Sequence, residues 1–179
     1  MKTALIKSLV MLGGLGGTFL FTGLAAPAPE YRTEVVFFER EKFTDVRDQN
    51  FDNDKNRDAI LEQLKTYLQE RAQLYVPEGA KLSVTIKDVD MAGEFEPWRT
   101  PAGHDVRIVK EIYAPRIKLA FQFTDANGEV VKQGTRDLRN LDFMRNSFGN
   151  FNEPYRYEKA LIDDWLRAEF PRAKKNTST

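Results

Sequence analysis

Four carboxylates and two aromatic side chains lie close together in residues 88–98, and this stretch is the part of the sequence best suited to chemistry. Its acids are Asp88, Asp90, Glu94 and Glu96, and its aromatic residues are Phe95 and Trp98. Two carboxylates near an aromatic platform are what a glycosidase uses, one as an acid with a raised pKa and one as base or nucleophile. Polar pairs at this spacing also arise whenever a strand turns one face to water. A catalytic pair is therefore an alternative interpretation.

A binding surface requires less of these residues than catalysis does. Gly93 allows the chain to leave the sheet, and the loop beyond it presents aromatic and charged side chains. An aromatic anchor with a charged rim is typical of partner binding, although Trp98 could instead pack down onto the sheet. We predict a binding surface composed of Asp88, Asp90, Glu94, Phe95, Glu96, Trp98 and Arg99.

Other catalytic chemistries have little support in this sequence. The single His, His104, precedes Asp105 in a Pro- and Gly-containing stretch, but no serine lies in a nucleophile-elbow motif. The chain has no Cys, and one His cannot supply the ligands of a zinc or copper site. We predict no catalytic residue, no cofactor and no metal site, and an enzyme is the less favoured interpretation.

Residues 52–56 begin with the ligand spacing of a calcium-binding loop. Arg57 stands at the sixth position, where the sharp turn needs Gly, and Gln63 stands at the twelfth, where a bidentate Glu is needed. The segment is better suited to capping a helix, with Asp54 or Asn56 as the capping residue.

The acids of residues 88–96 follow the clearest strand pattern in the sequence. Leu82, Val84 and Ile86 alternate with polar residues at the period of two of a half-buried strand. The next apolar pair, Val89 and Met91, is one residue out of step. This slip predicts a β-bulge near residues 87–88, after which the acids turn toward solvent at one rim of the sheet.

Two amphipathic helices frame this strand. The first carries an apolar stripe and ends at Pro77 and Gly79. The second opens near residues 152–154 and stops at Pro171. The first stripe is Ile60, Leu61, Leu64, Tyr67, Leu68, Leu74 and Tyr75, and the second is Tyr157, Leu161, Ile162, Trp165 and Phe170.

The remaining elements are strands. The apolar run 34–39 predicts a strand buried on both faces or at one edge of the core, and residues 106–112 alternate weakly. Residues 117–123 and 129–137 form a hairpin around a turn at 125–128, and 138–151 are irregular. This order predicts the α+β class, a single domain with a mostly antiparallel sheet and both helices on one face. We place the domain at residues 34–170, with a flexible lead at 26–33 and a disordered basic tail at 171–179.

The first 25 residues have the pattern of a secretory signal peptide. Lys2 and Lys7 precede an uncharged stretch that is too short and too rich in Gly to span a membrane, and cleavage is expected after Ala25. Without Cys there is no site for a lipid anchor. We therefore expect a periplasmic protein with no integral membrane segment after cleavage. Loss of the two lysines leaves 25 basic against 27 acidic residues, which gives no support for nucleic-acid binding.

Three segments resemble an uncharacterised family of exported bacterial proteins, domain of unknown function 3016. They are residues 88–98, residues 113–117 and residues 157–165, and the likeness extends from about Val35 to Phe170. The resemblance implies a Gram-negative, proteobacterial, periplasmic protein and supplies no activity, cofactor or site. We expect a non-enzymatic binding or adaptor protein for an envelope protein or glycan. The alternative is an envelope glycan hydrolase that uses a carboxylate pair within residues 88–96.

Overall fold

The computed structural model describes residues 31–48, 53–96, 98, 106–146 and 152–172. Six strands and three helices follow one another in these ranges, together with a short 3-10 helix at Arg40–Lys42. The strands are β1 Thr33–Phe37, β2 Lys81–Asp90, β3 Glu94–Phe95, β4 Arg107–Ile108, β5 Arg116–Thr124 and β6 Val130–Arg139. The helices are α1 Asp54–Ala72, α2 Phe143–Asn146 and α3 Arg156–Glu169.

The main sheet has four strands in the order β1-β2-β5-β6, and β3 pairs with β4 as a separate ribbon. β1 runs parallel to β2, because α1 carries the chain back between them, and the other pairs are antiparallel. The register of β2 against β5 shifts between Ile86 and Asp88, which confirms the predicted bulge. The α+β class with a mostly antiparallel sheet is likewise confirmed.

Helices α1 and α3 pack beside each other on one face of the sheet. The hydrophobic core lies between these two helices and the sheet. The buried side chains of α1 are Ile60, Leu61, Leu64, Leu68 and Ala72, and all but Ala72 belong to the predicted stripe. Tyr67 is partly buried, while Leu74 and Tyr75 lie beyond the helix, with Leu74 44% exposed and Tyr75 buried. Asn53 caps α1, and its side chain accepts a hydrogen bond from the Lys55 amide. The prediction of Asp54 or Asn56 as the cap was wrong by one to three residues, since both lie inside the helix.

The first strand follows one of its two predicted alternatives, and a later one is shorter than predicted. β1 is an edge strand with alternating burial, and Val36 is 50% exposed, so it lies at one edge of the core and is not buried on both faces. It begins at Thr33, one residue before the predicted domain boundary. The weak strand at 106–112 is reduced to Arg107–Ile108, because only these residues find a partner in β3. The segment after β6 contains α2, a single helical turn.

The hairpin between β5 and β6 turns where the sequence predicts it. Gly128 has φ +86°, and the Asp125 carboxylate accepts hydrogen bonds from the amides of Asn127 (2.9 Å) and Glu129 (3.0 Å). No helix in the described ranges combines the length and the apolar character needed to cross a membrane. The predicted signal peptide and the tail from residue 173 onward lie outside the described residues.

Candidate functional site

The bulge in β2 coincides with a gap in the neighbouring strand. After β1 the chain leaves β2, passes through the 3-10 helix and pairs with β2 again at Asp45. The Asp45 amide donates to the Val89 carbonyl (3.0 Å), and the residues between β1 and Asp45 form the gap. In the gap, the Asp88 carboxylate accepts hydrogen bonds from the Thr44 amide (2.8 Å), the Thr44 hydroxyl (3.0 Å) and the Lys118 ammonium (2.8 Å). Where no backbone of a neighbouring strand pairs with β2, the Asp88 side chain supplies the hydrogen bonds instead. Its role is therefore structural.

Asp88 and Asp90 lie in opposite electrostatic environments. Burial alone would raise the pKa of Asp88, but the hydrogen bonds from Lys118 and Thr44 outweigh burial and lower it. Burial raises the pKa of Asp90, and the charge of Asp45 raises it further. The half-buried Asp90 carboxylate forms no hydrogen bond or ion pair with any described residue, unlike that of Asp88.

Arg107 holds the base of the loop together from strand β4. Its side chain is only 12% exposed, and it donates to the Gly93 carbonyl (2.8 Å), to the Asp45 carboxylate (2.9 Å) and to the Arg47 carbonyl. Asp45 itself is buried and is also paired with the Arg47 side chain (3.0 Å). One guanidinium therefore joins three segments that are distant in the sequence.

Phe95 and Glu96 anchor the loop on the inside. Phe95 is 4% exposed, and the guanidinium groups of Arg107 and Arg47 lie 4.7 and 5.3 Å from its ring centroid. Glu96 is also 4% exposed and accepts hydrogen bonds from the Tyr113 hydroxyl (2.9 Å) and the Lys110 ammonium. These contacts fix the loop against the β3–β4 ribbon and the turn before β5.

Glu158, in the first turn of α3, closes the base of the loop from the helix side. It is 2% exposed and accepts a hydrogen bond from the Ala92 amide (2.7 Å). Burial raises its pKa, although the Ala92 amide and the charge of Arg107 act in the opposite direction. Gly93, which follows Ala92 in the chain, has φ +87°. A Cβ at this position would lie 2.9 Å from the Ile108 carbonyl oxygen, so the backbone conformation here requires glycine.

The predicted surface divides into an outer and an inner part. Trp98 is 74% exposed, while Glu94 is half-buried and lies 3.9 Å from the Arg47 guanidinium. Asp88 and Asp90 lie at the end of β2, before the loop, and are half-buried. We call Asp88, Asp90, Glu94 and Trp98 the Trp98 surface. Phe95 and Glu96 belong to the predicted binding surface but are buried, because arginines and Tyr113 hold them inward. Arg99 lies outside the described residues.

Three charged residues of the site were not identified from the sequence: Asp45, Arg107 and Glu158. Glu158 had a detectable signal, because it lies three and four residues before Leu161 and Ile162 and so falls on the apolar stripe of α3. Asp45 and Arg107 lie in polar stretches without period, and only the tertiary fold brings them together.

The structure gives no indication of a metal centre in the part of the chain that it describes, where no group of three or more His, Asp or Glu side chains is placed to hold an ion. In the segment that resembles a calcium loop, Asn53 caps α1 and Asp52 lies outside the described residues, as does His104. The candidate site thus comprises the Trp98 surface and the buried residues that anchor the base of its loop.

An open four-stranded sheet, two covering helices and one anchored acidic loop define a single-domain α+β protein with a candidate site at the surface. The chain belongs to the family described as "Protein of unknown function (DUF3016)", which matches residues 32–168. The family resemblance found in the sequence is thereby confirmed. No curated protein and no solved structure matches the chain. Because the family has no assigned activity, the function has to be argued from the geometry of the site.

Proposed function

We propose that this chain is an exported, non-enzymatic binding module of the bacterial envelope that holds an envelope protein or glycan on the Trp98 surface. Export to the periplasm is supported by the signal-peptide pattern of residues 1–25. Binding is supported by one observation above the others, which is the 74% exposure of Trp98 at the end of an anchored loop.

An exposed tryptophan on a fixed base is well suited to recognition. An aromatic side chain of this class has ~150–250 Å² to bury, and at ~25 cal/mol per Å² Trp98 contributes about 3 kcal/mol when a partner covers it. The bonds of Arg107, Glu96 and Glu158 hold the base of the loop before any partner arrives. Less conformational entropy is then lost on binding.

The acids of the Trp98 surface define the charge of the partner. Burial raises the pKa of Asp90, and the charges of Asp45, Asp88 and Glu94 raise it further, while the charge of Arg107 acts in the opposite direction. A cationic or hydrogen-bond-donating group placed against Asp90 would relieve this repulsion. We therefore expect a partner with an apolar or sugar face for the indole and a donor beside it.

Trp98→Ala is expected to weaken binding at least 30-fold, because anchors of this type contribute ~2 kcal/mol or more. The measurement is capture of detergent-solubilised envelope proteins, and in parallel of purified peptidoglycan fragments, on the immobilised protein. Leu74→Ala, an exposed apolar residue just after α1, is the matched control and should bind like the parent. If Trp98→Ala and Asp90→Ala both retain every captured component, the surface has been placed wrongly.

A glycan hydrolase is the second candidate, and the opposed pKa shifts of Asp88 and Asp90 favour it. It ranks lower because a glycosidase needs a second carboxylate, as nucleophile or base, and the neighbouring acids are bound to other side chains. Asp88 is bound by Thr44 and Lys118, and Glu96 is buried against Lys110.

The hydrolase candidate predicts that Asp90→Asn abolishes release of soluble fragments from dye-labelled peptidoglycan. The binding module predicts no release above the blank by either protein, since the other described acids of the segment are engaged. Asp88 is bound by Thr44 and Lys118, Glu96 is buried, and Glu94 accepts from the Phe95 amide beside Arg47. Release by the parent protein that Asp90→Asn lowers at least ~100-fold, within the range of general acid catalysis, would make the protein an enzyme.

A further inference from the structure

A cavity of about 520 Å³ lies between α1 and the start of α3, and none of its lining residues belongs to the Trp98 surface. Its walls are one face of residues 59–70 of α1, Glu153 just before α3 and Lys159 within α3. Sites that hold small molecules typically have volumes of ~300–1,000 Å³. The cavity therefore has the size of a ligand site, and we call it the α1–α3 groove.

Three of the side chains that line the α1–α3 groove are carboxylates, and one is cationic. The cation, Lys159, is already paired with Glu153, whose carboxylate lies 2.8 Å from its ammonium. Glu62 lies 3.4 Å from the ammonium of Lys65, and Glu70 forms no hydrogen bond or ion pair with another described residue. The groove therefore carries an excess of negative charge, which complements a cationic ligand.

The ring of Tyr67 gives the α1–α3 groove an aromatic wall. The Tyr67 hydroxyl donates to the Asp163 carboxylate (3.0 Å), which Arg71 holds with two further hydrogen bonds of 2.7 and 3.0 Å. The ring is therefore fixed before a ligand arrives, which lowers the entropy lost on binding. The Lys159 ammonium lies 5.1 Å from the ring centroid, within the range of a cation–π contact. An ammonium group is thus the kind of group that this wall attracts.

The spacing of the carboxylates on α1 sets the length of the ligand. Glu62 and Glu70 both line the groove and are two turns of helix apart, so they are separated by roughly 12 Å along the helix axis. Tyr67 lies between them in the sequence and in the groove. A metal ion or a single ammonium group can contact only one of these two carboxylates. A linear polyamine has ammonium groups at both ends of a largely apolar chain and can contact both.

We propose that the α1–α3 groove binds a linear polyamine. One terminal ammonium pairs with Glu62, the other pairs with Glu70, and the methylene chain lies over the ring of Tyr67. Each carboxylate then gains a counter-charge, and the apolar part of the ligand is covered by the aromatic wall. Because the Trp98 surface takes no part in this binding, the site goes beyond the proposed function and does not depend on it.

Isothermal titration calorimetry of the full protein, purified as the cell produces it, tests this proposal with spermidine as the ligand. The parent protein should bind one equivalent saturably. Glu70→Gln should raise the dissociation constant at least ~10-fold, because one terminal ammonium loses its charged partner. Glu78→Gln removes the same charge from an exposed acid outside the groove, and its dissociation constant should stay within about 3-fold of the parent value.

Replacement of Lys159 should have an effect of the opposite sign. Lys159→Gln releases Glu153 and the face of Tyr67 from the protein's own cation, so it should lower the dissociation constant for spermidine at least ~3-fold. Lys55→Gln removes the same charge from the exposed start of α1 and should leave the constant within about 2-fold of the parent value. Equal effects of the two lysine substitutions would contradict a ligand over the Tyr67 ring.

Two further results would overturn the proposal. One is the lack of saturable binding by the parent protein. The other is an equal loss from Glu70→Gln and Glu78→Gln, which would mean unspecific attraction between a polyamine and an acidic surface. Trp98→Ala should bind spermidine like the parent protein, so failure of this site and failure of the Trp98 surface give different results.

Discussion

Replacing Arg107 with Met is expected to lower the free energy of unfolding by about 3–5 kcal/mol, which is the usual cost of removing one partner from a buried ion pair. Besides its contacts with the Arg47 carbonyl and the Phe95 ring, Arg107 has two partners that would suffer most. Asp45, 5% exposed, would retain only Arg47 as a counter-charge, and the Gly93 carbonyl would lose its donor. Urea unfolding followed by far-ultraviolet circular dichroism measures the change as a shift of the midpoint.

Arg47→Met is the matched control, because Arg47 also pairs with Asp45 and also lies over Phe95. Its side chain is 31% exposed, against 12% for Arg107, so its loss should cost about 1 kcal/mol or less. Asp45→Asn combined with Arg107→Met should recover part of the stability, since no buried charge is then left alone. Equal effects of the two arginine substitutions would contradict the central position of Arg107.

The local architecture could be predicted because short-range patterns determine it. The phase slip is visible in the six residues from Ile86 to Met91, and it locates the bulge that the pairing with β5 shows. The turn at Asp125 and Gly128 and the stripe of α1 are also local signals. Each depends on residues that are neighbours in the chain.

The inner half of the site could not be predicted, because it depends on contacts between distant segments. Arg107 and Asp45 are 62 positions apart, and Glu158 and Ala92 are 66 apart. Nothing near Arg107 indicates that its guanidinium is buried. The same contacts explain why Phe95 and Glu96 turn inward although their sequence resembles that of an exposed acidic loop.

Glu158 should make the stability of the protein fall as pH rises from mildly acidic to neutral values. Its pKa in the folded protein is raised above the ordinary value of 4.5, so the folded chain keeps a proton that the unfolded chain has released. The stabilising contribution is therefore complete below about pH 4.5 and is lost as pH rises through the folded-state pKa. Between these two pKa values, Glu158 lowers the free energy of unfolding by at most ~1.4 kcal/mol per pH unit.

Glu158→Gln should remove this contribution to the slope. Gln stays neutral and still offers an oxygen to the Ala92 amide, so the variant should gain stability relative to the parent as pH rises above about 4.5. Unfolding by urea at steps between about pH 4 and pH 8 measures the difference. Asp45 and Arg107 are the charges nearest to Glu158, and both are retained in this variant.

Glu169→Gln provides the opposite case in the same helix. Burial alone would raise the pKa of Glu169, as it does that of Glu158, but hydrogen bonds from Arg136 and Lys132 outweigh burial and lower it. The Glu169 carboxylate therefore stabilises the fold above the ordinary pKa and loses that effect as pH falls. The stability difference between this variant and the parent should shrink toward acidic pH.

Parallel stability curves for the parent and Glu158→Gln would mean that Glu158 is ionised in the folded protein. The bond to Ala92 would then join a buried charge, and not a neutral acid, to the base of the loop that carries Trp98.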